Sequence, residues 1–283
     1  MCILMSSTGK HVDVAATKIF ARLDRAANGP EMEQYLVYQM NINAHGARSA
    51  MILPIPEATH QDNAVEFINL QGYKDFFTDC EKGFPAEQAL SFGAPMMRGI
   101  GAPKGLLAVE RVGDYIASWV PTVADLDRLD PVFRMPKILF DAFPRYETYG
   151  FAVFQLDTDA VGRYMLRRWS PSGSKTTIQP MALRFETATP NDLYFPTVHF
   201  HGDGLHDMDE FDHMFYWQNR HVNRAQISDS DAGYFMDVSK AGDIIDSSAE
   251  MYRLPLVGKL VNKDTWIKGE MDTMRTGLKF IQE

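Results

Sequence analysis

The chain has 283 residues, of which 45% are apolar, 12% aromatic and 23% charged, an ordinary globular composition long enough to bury a real core. Its net charge of -9 is spread along the sequence, and its 28 Lys and Arg residues form no long run, which argues against a nucleic-acid surface. Two cysteines, Cys2 and Cys80, are too few for a disulfide scaffold, no stretch approaches the roughly 20 apolar residues of a membrane span, and the N-terminus lacks the basic segment of a secretory signal, so a soluble cytoplasmic protein is expected.

Alternation of apolar and polar positions predicts strands over Cys2 to Ser6, Lys18 to Leu23, Gln34 to Asn41 and Ala50 to Ile55, so the chain should begin as a meander. In YLVYQMNIN, Leu36, Tyr38, Met40 and Ile42 share one face, and Tyr35, Val37, Gln39 and Asn41 the other. The two prolines of AMILPIP mark an edge or a strand end. GYKDFFTDCEKGF predicts a short helix stopping near Gly83. The Gly, Pro, Ala and Met-rich stretch 84–104 predicts a long loop serving as a lid or an arm. Its glycines follow no phosphate-loop spacing.

Beyond it, LLAVERVGDYIASWVPT predicts a hairpin turning at Gly113-Asp114. VADLDRL and PKILFDAFPRY predict two short helices. YGFAVFQLD, RYMLRRWS, IQPMALRFET, YFPTVHFHG and HMFYWQ predict further strands, and a C-terminal helix is expected from Thr265 to Gln282. The expected fold class is therefore α+β, a mostly antiparallel, sandwich-like sheet structure with a few short helices. It forms one domain, or two strand-rich halves, 1–104 and 105–283, joined at the 84–104 loop.

A series of short strings resembles the uncharacterised bacterial family named domain of unknown function 2330. They are Ala50-Met51-Ile52-Leu53-Pro54-Ile55-Pro56, Val109-Glu110-Arg111-Val112-Gly113-Asp114-Tyr115, Tyr149-Gly150-Phe151-Ala152-Val153, Ile178-Gln179-Pro180-Met181 through Phe185, and Leu193-Tyr194-Phe195-Pro196. Their order over roughly residues 17 to 200 carries the resemblance. It implies a fold and no activity, and the exported character and clustered cysteines of that family have no counterpart here.

The chemically dense segment is TVHFHGDGLHDMDEFDHMFYW. His199, His201, His206 and His213 stand there among Asp203, Asp207, Asp209, Glu210 and Asp212. On a strand, His199 and His201 would project from one face about 7 Å apart. The following turn could bring Asp203 or His206 beside them, a donor set suited to zinc, manganese, iron or nickel. His199-x-His201-x-Asp203 resembles the opening of the metallo-β-lactamase motif, but Gly204 stands where that motif has its next histidine. A cupin His-x-His fits no better, because Leu205 or His206 occupies the place of its Glu. The competing expectation is a polar hairpin loop in which these histidines cap turns and bond carboxylates, or titrate as a pH switch.

A second constellation is Cys2, which would gain a free amine if Met1 were removed, the arrangement of N-terminal-nucleophile hydrolases. Arg22-Leu23-Asp24 resembles the Arg-x-x-Asp of the bile-salt hydrolase branch, one residue short. His11, His45 and His60 fall in expected loops with solvated roles. No Gly-x-Ser-x-Gly, Walker loop or His-Glu-x-x-His is present. By elimination the expectation is a non-catalytic binding or assembly protein, with a protein partner or a second copy of itself. The alternatives are a metal-dependent hydrolase or oxygenase built on the histidine cluster, and a Cys2 hydrolase.

Overall fold

The computed structural model describes residues 3–9, 12–26, 29–43, 48–57, 59–85, 109–112, 115–156, 176–200, 204–218, 222, 224–268 and 279–282. The described chain is mostly β, which corrects the α+β expectation: its strands form three sheets, while helix is confined to short pieces at their surfaces.

The first large sheet orders β1 (Ile3–Ser6), β4 (Ser49–Ile55), β8 (Gly150–Leu156), β7 (Tyr115–Val120) and β6 (Val109–Val112). The second orders β13 (Gln226–Ile227), β14 (Tyr252–Val261), β12 (Met208–Trp217), β2 (Asp13–Arg25), β3 (Met32–Asn43), β10 (Met181–Glu186) and β5 (Val65–Ile68), with β9 (Thr176–Thr177) added beside β3. A third, small sheet orders β11 (Leu193–Phe195), β15 (Thr265–Lys268) and β16 (Lys279–Gln282). The described strand pairings are antiparallel except for β12 with β2, which run parallel, as does the isolated bridge of Ile3 with Phe200. Only β2 and β3 make the expected opening hairpin, since β1 and β4 pair with each other in the other sheet.

The two large sheets pack face to face, and strand parity decides what lies between them. Leu36, Tyr38, Met40 and Ile42 of β3 join Ile19 and Ala21 of β2 and Met51, Leu53 and Phe154 of the opposite sheet in one buried core. Tyr35 and Val37 point the other way. With Phe20, Ala182 and Tyr216 they are covered by α1 (Phe76–Lys82), residues 70–84 and residues 232–251, which include α3 (Val238–Ala241). The outer face of the other sheet, carrying Ile52, Val120, Phe151 and Val153, is covered by residues 126–146, which include α2 (Lys137–Ala142) and parts of three 3-10 helices. The central strands of each large sheet are thus covered on both faces, which explains why β4 is buried throughout and apolar from Ala50 to Ile55 instead of alternating.

Pro54 fits within β4 because β1 pairs only with Ser49–Ile52, so no described neighbour asks for the missing N–H on that side. VADLDRL forms a 3-10 helix, Val123–Arg128, instead of an α-helix. α1 ends at Gly83, whose N–H bonds the Cys80 carbonyl at 3.3 Å, while that of Phe84 bonds the Glu81 carbonyl at 3.2 Å. The expected C-terminal helix is not formed: Thr265–Lys268 pairs with Leu193–Phe195 on one side and Lys279–Gln282 on the other. Those strand partners satisfy the backbone that a helix would have satisfied internally. The small sheet closes the sandwich beside β2, where Phe195 stacks on Phe215 with ring centres 4.6 Å apart. Most of the 84–104 stretch, the Gly113-Asp114 turn and the strand expected at RYMLRRWS lie outside the described residues. Strands on both sides of 84–104 share each large sheet, as the β4–β8 and β3–β10 pairs show.

Candidate functional site

The histidine segment begins after β11, where residues 197–199 run without a strand partner of their own. The turn between β14 and β15 supplies one in side-chain form. Asp264 Oδ1 accepts the Thr197 N–H at 3.0 Å, and Asn262 Oδ1 accepts the His199 N–H at 2.6 Å. Asn262 Nδ2 donates to the carbonyls of His199 at 2.9 Å and His206 at 3.0 Å, clipping both ends of the intervening loop. Asp264 Oδ2 accepts the Tyr146 hydroxyl at 2.8 Å, tying the helical cover to the same turn. Burial holds the Asp264 carboxyl above the usual carboxylate range against these donors, and pushes the hydroxyls of Tyr146 and Tyr194 well above the usual phenol range.

The clip delivers the His199 ring into the sandwich. On β12, Phe211, His213, Phe215 and Trp217 alternate onto the core face, so both imidazoles enter an aromatic row. His199 stacks on Phe211 at 4.2 Å and lies 5.3 Å from the His213 ring, and His213 lies 5.1 Å from Phe211. Both histidines are 1% exposed. His199 Nδ1 faces Asp209 Oδ2 at 3.3 Å. Among the described residues neither ring nitrogen of His213 has a hydrogen-bond partner, nor has Thr17 Oγ1, which is fully buried and in register with His213 on β2. Such groups cost roughly 1–3 kcal/mol each. This part of the core is specified by shape more than by polar pairing.

Of the expected donors, the structure brings together His199 and His213. His206 is exposed and contributes its carbonyl to Asn262, while His201 and Asp203 lie outside the described residues. Among the described residues no group of three His, Cys, Asp or Glu side chains is placed to hold a metal ion. Cys2, His11 and His45 also lie outside them. Arg22 and Asp24 bond each other at 2.6 Å on the outer face of the large sheet. There the Arg22 guanidinium lies 4.8 Å from the Tyr35 ring centre and donates to the carbonyl of Ile244 at 2.9 Å, a structural clamp on the covering layer.

A polar arrangement missed by sequence reasoning lies at the end of β4. Glu57, with a fully buried side chain, accepts the Gly150 N–H at 2.9 Å through Oε2 and meets His60 Nδ1 at 2.7 Å through Oε1, while the His60 side chain is 48% exposed. Burial raises the Glu57 carboxyl above its ordinary value, and the bonds to Gly150 and His60 oppose the shift. Trp119 donates from its indole to the Gln61 carbonyl at 2.9 Å and fixes the same turn. The Glu-x-x-His spacing was visible in the sequence, but the burial that distinguishes Glu57 from a solvated loop acid was not.

No family model matches the chain, and no curated protein matches it. Among solved structures, the crystal structure of baculovirus P35 aligns with 99% of this chain and 94% of that chain, at 12% identity and a TM-score of 0.39. A likeness of that size fixes neither fold nor activity. No helix among the described residues is long and apolar enough to cross a membrane.

Proposed function

We propose that this protein acts by binding, through a surface on its larger sheet, to a protein partner or a second copy of itself. The observation that carries the reading is the grouping of exposed apolar side chains. Met208, Val257 and Val261 are 42%, 66% and 43% exposed and lie on the adjacent strands β12 and β14, while Ile227, 40% exposed on β13, pairs with Tyr252 and so stands on the other face. Met208 and Val261 are direct cross-strand partners, and Val257 stands on the same face of β14 as Val261. Exposed apolar side chains are unremarkable singly, and their concentration on one sheet margin suits an interface. Placement of His199 and His213 within the aromatic core favours this reading over chemistry at that cluster.

Light scattering over a concentration series, together with affinity capture, tests the reading. Val257→Lys with Val261→Lys should leave stability within about 0.5 kcal/mol, as exposed positions do. The double substitution should abolish self-association or capture of the partner. Association unchanged by it would overturn the assignment of the surface.

A further inference from the structure

We propose that His213 is an acid trigger: with its ring neutral the 197–199 strap stays closed against β12, and with its ring protonated the strap opens. The ring is 1% exposed and stands on the core face of β12 between Phe211 and Phe215. Among the described residues neither of its nitrogens has a hydrogen-bond partner. A neutral imidazole left so is tolerated in a packed core, whereas an imidazolium in the same place is an enclosed cation without an acceptor, which costs far more. The closed strap therefore admits the neutral ring and excludes the charged one.

No charged group on the neighbouring described elements supplies that acceptor. Across the strand pairs His213 faces Thr17 of β2 and Leu256 of β14. Asp209, on its own strand, meets His199 Nδ1 at 3.3 Å. Glu210, Asp212, Arg253 and Lys259 stand on the opposite face of β12 and β14, where Asp212 accepts the Ala16 N–H. Lys18, the next residue of β2, pairs with Glu81, and Asp264 is taken by Thr197, Val198 and Tyr146. Lys268 of the small sheet lies over the Trp266 ring, while that sheet and the opposite large sheet add apolar side chains to the core around β12. The strap brings the ring of His199, 5.3 Å away, and a proton held there by Asp209 adds like charge beside His213.

The strap is the part that gives way. Its backbone is held by the side chains of Asn262 and Asp264 in place of a strand, and the isolated bridge of Ile3 with Phe200 follows it. β12, by contrast, is paired with β14 along its length and with β2 from His213 to Trp217. The segment with fewest backbone partners opens first. Once the strap is open, His213 takes a proton below about 6.5, the ordinary imidazole value. Because the open form alone binds that proton, closure is fully stable above that range. It weakens as pH falls through it, the open-to-closed ratio rising about 10-fold for each further unit. Asp264 runs the other way, since burial raises its carboxyl and its contribution is greatest in acid, so it does not produce the weakening.

The test is amide hydrogen exchange at residues 197–199 of the full chain, corrected for intrinsic exchange rates, about one unit above and about one unit below the ordinary imidazole value. Wild-type protection at these amides should fall about 10-fold between the two conditions. His213→Phe, whose ring continues the aromatic row and takes no proton, should keep its protection. A wild type that loses none, or a variant that loses as much as the wild type, would overturn the proposal. Ring NMR of the wild type needs no variant. From about pH 7.5 to about pH 6 the resonances of the exposed His206 should titrate while those of His213 stay fixed. Titration of His213 with the strap amides still protected would show that the closed fold accepts the charged ring, and the trigger would be lost.

Discussion

Replacing Asp264 tests whether the β14–β15 turn is held by a buried acid or by a buried anion. Asp264 is 1% exposed and accepts from Thr197 N at 3.0 Å and the Tyr146 hydroxyl at 2.8 Å. Asp264→Ala removes the acceptor for both donors, each costing roughly 1–3 kcal/mol when left buried and unpaired, so a loss of about 2–6 kcal/mol is expected. Asp264→Asn keeps one carbonyl oxygen and should cost less, about 1–3 kcal/mol, because its amide turns a donor towards one of those donors.

The pH dependence separates the two forms of the wild-type carboxyl. Its folded value is raised above the ordinary value of 3.8 by burial, so the folded state holds the proton over a range in which the unfolded chain has released it. The stability contributed by Asp264 is therefore fully present below the ordinary carboxylate range and is lost as pH rises through the raised value. Urea unfolding of wild type and Asp264→Asn at steps from acid to neutral pH should give a stability difference that is largest at the acid end and shrinks upward. A difference that grows with pH would show that the donors outweigh burial and would refute the argument.

Phe215 is fully buried in the main core and stacks on Phe195, so Phe215→Ala should cost about 3–5 kcal/mol in chemical denaturation and loosen the contact between the large and small sheets. At Gly150 an added Cβ would lie 2.1 Å from the Trp119 ring and 2.9 Å from Glu57 Oε1. Gly150→Ala should therefore lower stability by about 1–3 kcal/mol and alter the Trp119 signal in near-ultraviolet circular dichroism. Elemental mass spectrometry of protein purified without a histidine tag, beside a His199→Ala/His201→Ala variant, should show no near-stoichiometric zinc, manganese or iron in either. Metal present in the wild type and lost in the variant would restore a ligand role for these histidines.

Local alternation was enough to place the faces of β3: the same parity that separates Leu36, Tyr38, Met40 and Ile42 from Tyr35 and Val37 separates the sandwich core from the layer under α1. The stop at Gly83 was equally local, a feature of one helical turn. The segment after Thr265 was misread because its apolar residues suit either period, and the choice fell to Leu193–Phe195, some 70 positions earlier, which supply the backbone partners of a strand.

The histidines divide in the same way. Placing Phe211, His213, Phe215 and Trp217 on one strand face requires only the period of two, and that signal was present in the sequence. That the face is interior, that Asn262 and Asp264 carry His199 in beside it, and that Glu57 is buried behind His60 depend on sheets and turns assembled from distant parts of the chain. Sequence by itself determined the alternating strands and the composition of the core. Tertiary structure decided which polar side chains were enclosed, because burial is a property of the second layer that packs against a strand and not of the strand itself.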